Sequence, residues 1–364
     1  MKILFGTHQL EVRAGSELFT AELAQSIHAR GHEVAVFTFF KGMVAELIEA
    51  QGIPVFDPDD ARAISRFAPD IVQTNHLPCA HFLRSMISDA IRVHAMLGVI
   101  PHLEAPPLDE GAFSLGLAVS EEVANRINQT SFGKNVDVAV FRNWFDDKAV
   151  MAARIPSHKV LRVAVISNHL SRELMDALDV LEAAGVVEVE YFGLQRQSVV
   201  VDGSLMTQYD LIITIGRSVL LAAACGLPCI MADIHGSDGL LTVDNLDLVR
   251  TVNFSGRLEK RPITKTHLLE EIDKLTSYDR EQLRSRVTIE YSLNSRAEWL
   301  LSRYEALLEG ERDGAQNLLR KLSASSAPSE GLVHAEITGM VRDLRKQLES
   351  AMRTIAALSA NEPR

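Results

Sequence analysis

Cysteine is scarce in this chain, and Cys79, Cys225 and Cys229 sit in apolar contexts without metal-ligand spacing. That argues against a disulfide framework and suits a reducing compartment. Long apolar runs are also missing, and none reaches the roughly 18 residues needed to span a bilayer. Met1-Lys2 leads into only a short apolar segment, which is not the pattern of a signal peptide. Positive charge is in deficit: the formal net charge is -11, which argues against a general nucleic-acid binder. These absences predict a cytoplasmic protein whose contact with any membrane acceptor is peripheral.

What is present is ordinary globular material. Hydrophobic residues make up 47% and charged residues 23% of the 364 positions, enough for two domains with separate cores. Lys2–Gly6 reads as a buried strand and Thr7–Gly15 as a polar loop. A helix follows from an N-cap at Ser16, with Leu18, Phe19, Leu23 and Ile27 on one face and Gly31 as its stop. Helices then alternate with short β-branched runs up to Val136–Phe141, which predicts a doubly wound parallel sheet. Ligands bind such sheets outside the carboxyl ends of the strands. That rule places Thr7–Ser16, Asn75-His76 and His94–His102 on one rim, where each histidine taken singly reads as structural.

A second strand series starts at Leu161–Ser167, with a short strand predicted at Val199–Val201. The chain therefore divides into residues 1–150 and 155–308, two Rossmann-like α/β domains facing across a cleft, then a linker at 309–330. In the tail, 331–364, Ile337, Val341, Leu344, Leu348, Ala351, Ile355 and Leu358 repeat at heptad spacing. That helix either docks on the body or mediates self-association or partner contact, which a truncation at residue 330 followed by mass measurement distinguishes.

The stretch with the most chemical content is Tyr209–Thr242. Strand Asp210–Ile215 turns through Gly216-Arg217-Ser218 into a small-residue helix, Val219–Cys225, stopped by Gly226-Leu227-Pro228. A further strand, Cys229–Asp233, leads into a loop, His235–Gly239. First-turn N–H groups lack intrahelical partners and carry partial positive charge, so the turn suits an anionic ligand.

Ala14-Gly15-Ser16-Glu17, Gly31-His32-Glu33-Val34, Arg142-Asn143 and Ala224-Cys225-Gly226-Leu227-Pro228 occur in an order, across residues 1–308, that resembles the group-one glycosyltransferases of the GT-B fold. The resemblance implies transfer of a sugar from a nucleotide-sugar to a glycan, lipid-linked or small-molecule acceptor, typically with retention and without a metal or other cofactor. It implies a role in surface or secreted polysaccharide synthesis. It places the donor mainly on the second domain, at Asn168, Arg172, Gly216, Arg217, Ser218, His235 and Gly239. Gly15 and Ser16 approach from the first domain. Two departures stand out. The family's paired glutamates fall on Ile213 and Leu221 here, and leucine cannot accept the hydrogen bonds of a ribose. Its first-domain histidine motif falls on Leu97-Gly98. His94 and Asp238 stand as candidates for the missing catalytic groups, beside Arg217. The alternatives are a catalytically impaired binding or scaffolding subunit and, third, a nucleotide-sugar epimerase of the same architecture.

Overall fold

A computed structural model describes residues 1–99, 102–107, 110–153, 160–193 and 199–312. The heptad-spaced tail and the linker from residue 313 lie outside the described residues. The chain forms two compact units that are not contiguous in sequence. The first takes Met1–Leu117, Arg126–Ala139 and the chain from Leu301; the second takes Ala118–Asn125 and Val140–Leu300. The longer stretch of the second unit starts at Val140, so Arg142-Asn143-Trp144-Phe145 belongs to that unit.

The first unit is built on β1 (Lys2–Leu10), β2 (Glu33–Lys41), β3 (Val55–Phe56), β4 (Ile71–Thr74), β5 (Ile91–Met96), β6 (Leu115–Ala118) and β7 (Val138–Val140). Their order is β3-β2-β1-β4-β5-β6-β7, and β1 pairs in parallel with both β2 and β4. The winding reverses between β1 and β4, which is where such sheets open a crevice. β1 runs to Leu10 because Thr7, Gln9 and Leu10 pair with Thr38, Phe40 and Lys41, so the segment expected as a loop is strand. The helix Gly15–His28 starts one residue before the expected cap. Ala14 is its N-cap, and the Ser16 hydroxyl donates to the Glu17 carboxylate at 2.8 Å instead. At the chain's return, the Tyr304 hydroxyl donates to Gln73 Oε1 at 2.5 Å, inside the core.

The second unit carries β8 (Leu161–Ile166), β9 (Val187–Phe192), β10 (Leu211–Thr214), β11 (Cys229–Asp233) and β12 (Gly236–Leu240) in the order β12-β11-β10-β8-β9. β8 pairs in parallel with β9 and β10, and β10 with β11. Their side chains, Val163, Val165, Leu211, Ile213 and Ile230 on one face and Ala164, Ile212, Cys229 and Met231 on the other, fill two apolar layers. The winding reverses between β8 and β10.

Three expectations are corrected here. His235–Gly239 is not a loop: its last four residues lie in β12, antiparallel to β11, with Ser237 also exchanging two 3.0 Å backbone bonds with Arg261. The glycines make this edge strand fit. A Cβ on Gly239, at φ +75°, would sit 2.8 Å from the buried Glu271 carboxylate, and that carboxylate accepts from the Leu240 N–H at 2.7 Å. Val199–Val201 forms no strand, and Val200 is exposed. The last helix runs from Leu293 to Arg312, past the expected start of the linker. Among the described residues no helix is long and apolar enough to cross a membrane.

Candidate functional site

In the second unit, β10 and the helix Arg217–Ala224 place a sharp turn at the carboxyl edge of the sheet, beside the winding reversal. The strand end is fixed by Thr214, whose hydroxyl donates to the Ile166 carbonyl of β8 at 2.7 Å. Gly216 then takes φ 64° and ψ -133°, a conformation that L side chains rarely adopt. A Cβ there would meet nothing within 4 Å, so backbone conformation selects glycine and the space before it is open. From Val219 to Ala224 every side chain is buried, and three alanines let the helix lie close to the sheet. The N–H groups of Arg217 and Ser218 lie in the first turn of this helix, which no side chain among the described residues caps.

Arg217 is held in place. Its guanidinium lies over the Trp144 ring, 5.4 Å from the centroid, and its Nε donates to the Trp144 carbonyl at 3.4 Å. Trp144 is wholly buried and packs on Phe141, so it forms a rigid platform. A planar cation oriented on an aromatic face, next to the first turn of a helix, is suited to a phosphate or diphosphate. The neighbouring loop joins the same assembly: the Gly216 N–H donates to the Phe254 carbonyl at 2.9 Å, and Asn143 Nδ2 donates to Asn253 Oδ1 at 2.9 Å. Arg257 pairs with Glu122 at 2.5 Å, and Arg142 pairs with Glu121.

Along the same edge the Ser167 hydroxyl donates to Asp233 Oδ1 at 3.1 Å and accepts from the His169 N–H at 2.9 Å. Burial pushes the Asp233 carboxyl above the usual carboxylate range, against the opposing pull of the Ile234 N–H and the Ser167 hydroxyl. Gly193, at φ +148°, brings the end of β9 against β8: a Cβ there would sit 2.0 Å from the Ser167 carbonyl oxygen. Gly193→Ala is expected to cost about 3 kcal/mol, lowering the thermal midpoint by about 6–12 °C. A midpoint unchanged in calorimetry would contradict that close approach.

Gly216, Arg217, Ser218, Asn168 and His235 therefore occupy the carboxyl edge of the second unit. Other expected site residues are placed differently. Arg172 opens its helix with a side chain 86% exposed, and its only ion pair among the described residues is with Asp176 at 3.8 Å. Asp238 is 5% exposed, with Oδ1 accepting from the Glu259 N–H at 2.8 Å, so it anchors the neighbouring segment rather than facing ligand. Gly239 accommodates Glu271. In the first unit, Gly15 and Ser16 lie at the first turn of their helix, and a Cβ on Gly15 would meet nothing within 4 Å. His94 is fully buried, bonded through Nδ1 to Thr74 Oγ1 at 2.8 Å and flanked by Phe113 and Phe132, so it is enclosed in the core and presents no edge to a substrate. Sequence reasoning missed the Trp144 platform and the Asn143–Asn253 and Ser167–Asp233 pairs. Only Asn143 and Trp144 carried a local signal, as part of Arg142-Asn143-Trp144-Phe145.

The two positions at which the resemblance expects glutamates are both buried. Leu221 is 7% exposed within the apolar layer, and Ile213 lies inside β10 with its side chain in the opposite layer. A glutamate at 213 would be buried in the sheet. Leu221→Glu is accordingly expected to lower the unfolding free energy by about 3 kcal/mol, read from urea denaturation. Unchanged stability would mean that position 221 opens to solvent.

No protein-family model and no curated protein matches the chain. Solved structures do. A glycosyltransferase from Rickettsia africae ESF-5 matches with a TM-score of 0.60 at 15% identity, over 84% of this chain and 98% of that one. Anabaena Alr3699/HepE, solved in complex with UDP, gives 0.59 at 16% identity, over 84% and 100%. The lipopolysaccharide outer core galactosyltransferase WaaB, in its apo form, gives 0.54 at 13% identity, over 84% and 100%. At such identities the likeness is one of fold, and the fold this chain shares with them is the GT-B glycosyltransferase fold.

Proposed function

We propose that this chain is a glycosyltransferase that moves a sugar from a nucleotide-sugar to an acceptor hydroxyl in the synthesis of a surface or secreted glycan. The observation that carries the reading is Arg217, seated on Trp144 beside the uncapped first turn of its helix. In the reaction the bond from the anomeric carbon to the diphosphate oxygen breaks, a bond to the acceptor oxygen forms, and the acceptor proton is released. Negative charge gathers on the departing nucleoside diphosphate. Arg217 and the N–H groups of Arg217 and Ser218 are preorganised for that charge and need no reorientation as it develops. The resemblance to group-one enzymes supports assigning the acceptor to the first unit, near the carboxyl ends of β1 and β4. One neighbour of the fold, Anabaena Alr3699/HepE, was solved in complex with UDP and again with UDP and glucose, which favours UDP-sugars as the first donors to test.

A second reading, an impaired relative acting as a binding or scaffolding subunit, is favoured by one observation: Leu221, at the position where the resemblance expects a ribose-binding carboxylate, is buried. Thermal-shift titration with UDP-, GDP- and ADP-sugars, followed by a donor-hydrolysis assay, separates the two. Binding with turnover supports the enzyme, and binding without turnover supports the subunit. Failure of all three to bind rejects the donor-site assignment.

A further inference from the structure

We propose that Asn253 is a positioning residue for the Arg217–Ser218 turn, fixing the direction of its N–H groups toward a nucleoside diphosphate; the ligand half of this inference rests on the function proposed above. Asn253 and Phe254 are consecutive non-glycine residues in the left-handed region, at φ 57° and 55°. They end a helical segment in the manner of a C-cap, with the Asn253 N–H donating to the Arg250 carbonyl and the Phe254 N–H to the Val249 carbonyl. Asparagine adopts that conformation with little penalty, whereas phenylalanine seldom does. Phe254 holds it because its ring is buried, 2% exposed, and stands edge-on to Tyr291 with centroids 5.9 Å apart. Strain of this kind persists where surrounding contacts over-determine it, and it gathers at functional sites.

The consequence lies in where the carbonyl of Phe254 points. It takes the Gly216 N–H at 2.9 Å, which fixes the Ile215–Gly216 peptide, one residue ahead of the peptide that carries the Arg217 N–H. Asn253 closes the circuit. Its Oδ1 receives Nδ2 of Asn143, which is 8% exposed, and Asn143 precedes Trp144, whose carbonyl and ring hold the Arg217 side chain. The turn is thus anchored on its backbone by the Asn253-Phe254 pair and on its side chain by Trp144, and the Asn143–Asn253 bond ties the two anchors together. Neither asparagine needs to touch ligand to act. Each sets the geometry of groups that would.

Three variants separate positioning from folding. Asn253→Gly keeps the left-handed backbone and loses the side-chain bond; Asn143→Ala loses the bond from the other side; Asn253→Asp keeps both an acceptor and tolerance of the conformation. Calorimetric titration of each full-length variant with UDP, GDP and ADP is the first measurement. Asn253→Gly and Asn143→Ala are expected to weaken whichever diphosphate the wild type binds by about tenfold, and Asn253→Asp to restore affinity to within about twofold. The second measurement, on ligand-free protein, is amide hydrogen exchange of a peptide covering 213–221. It is expected to quicken in the first two variants and not in the third. Wild-type affinity in Asn253→Gly and Asn143→Ala, with only their thermal midpoints lowered, would overturn the proposal, as would unchanged exchange. If wild-type protein binds none of the three diphosphates, the functional reading and the ligand half fall together, and exchange alone decides whether Asn253 positions the turn.

Discussion

Arg217→Ala is expected to reduce nucleotide-sugar turnover by about a hundredfold, while the thermal midpoint moves by no more than about 2 °C. The size follows from where the charge develops. A diphosphate leaving group gathers negative charge during bond breaking, and a preoriented guanidinium stabilises that charge more than it stabilises the bound donor, so kcat falls together with kcat/KM. Stability changes little because Arg217 is only half-buried and the Trp144 ring and carbonyl that it contacts remain in the variant. Arg217→Lys is expected to recover only part of the loss, leaving activity down by about tenfold, since an ammonium keeps the charge but lacks the planar fork that lies on Trp144. Steady-state kinetics with the donor found by thermal shift provide the measurement. Wild-type kcat/KM in Arg217→Ala would remove Arg217 from the site.

The elements legible in sequence were those whose signal is local. Gly216 announced its turn because a strand of aliphatic residues runs straight into it and a helix of small residues runs out, and no other residue type relieves φ 64° there. Most of the parallel strands followed from alternation alone. What failed depended on partners far away in the chain. Thr7, His8 and Gln9 are polar and read as loop, yet β2 supplies backbone partners 31 residues on, and pairing outweighs side-chain character. The His235–Gly239 segment has the composition of a turn, yet its glycines serve contacts with Lys260, Arg261 and Glu271. Asp238, a candidate carboxylate from its place in that segment, accepts the Glu259 N–H instead. Asn143 and Asn253 meet across 110 positions, a pairing with no signature in either neighbourhood.

His94 shows the same limit from another side, and it leads to a pH dependence. As a polar residue on a predicted rim it invited a catalytic role, but it is fully buried, and burial, with His76 and His81 adding repulsion, pushes its pKa down to about 3. His76 is also held down to about 3, first by burial and then by the nearby His8. The geometry agrees: His76 Nδ1 accepts the His8 N–H at 2.9 Å, so it has no room for a second proton. Both rings are therefore neutral in the folded chain at neutral pH, whereas in the unfolded chain they titrate near 6.5. The sign follows. Between 6.5 and about 3 the unfolded state binds more protons than the folded one, so stability is fully present above 6.5 and is lost as pH falls. Each histidine contributes a slope of about 1.4 kcal/mol per pH unit in that window. Together they are expected to make the first unit acid-labile, with its urea midpoint dropping steeply from pH 6.5 to 5 and staying level from 6.5 to 8. His94→Gln keeps a polar partner for Thr74 and deletes one titrating site, so it is expected to halve that slope even if it lowers stability at pH 7. An equally steep slope in His94→Gln, or a level midpoint in the wild type down to pH 5, would show that the ring is protonated in place and that His94 is not sealed in the core.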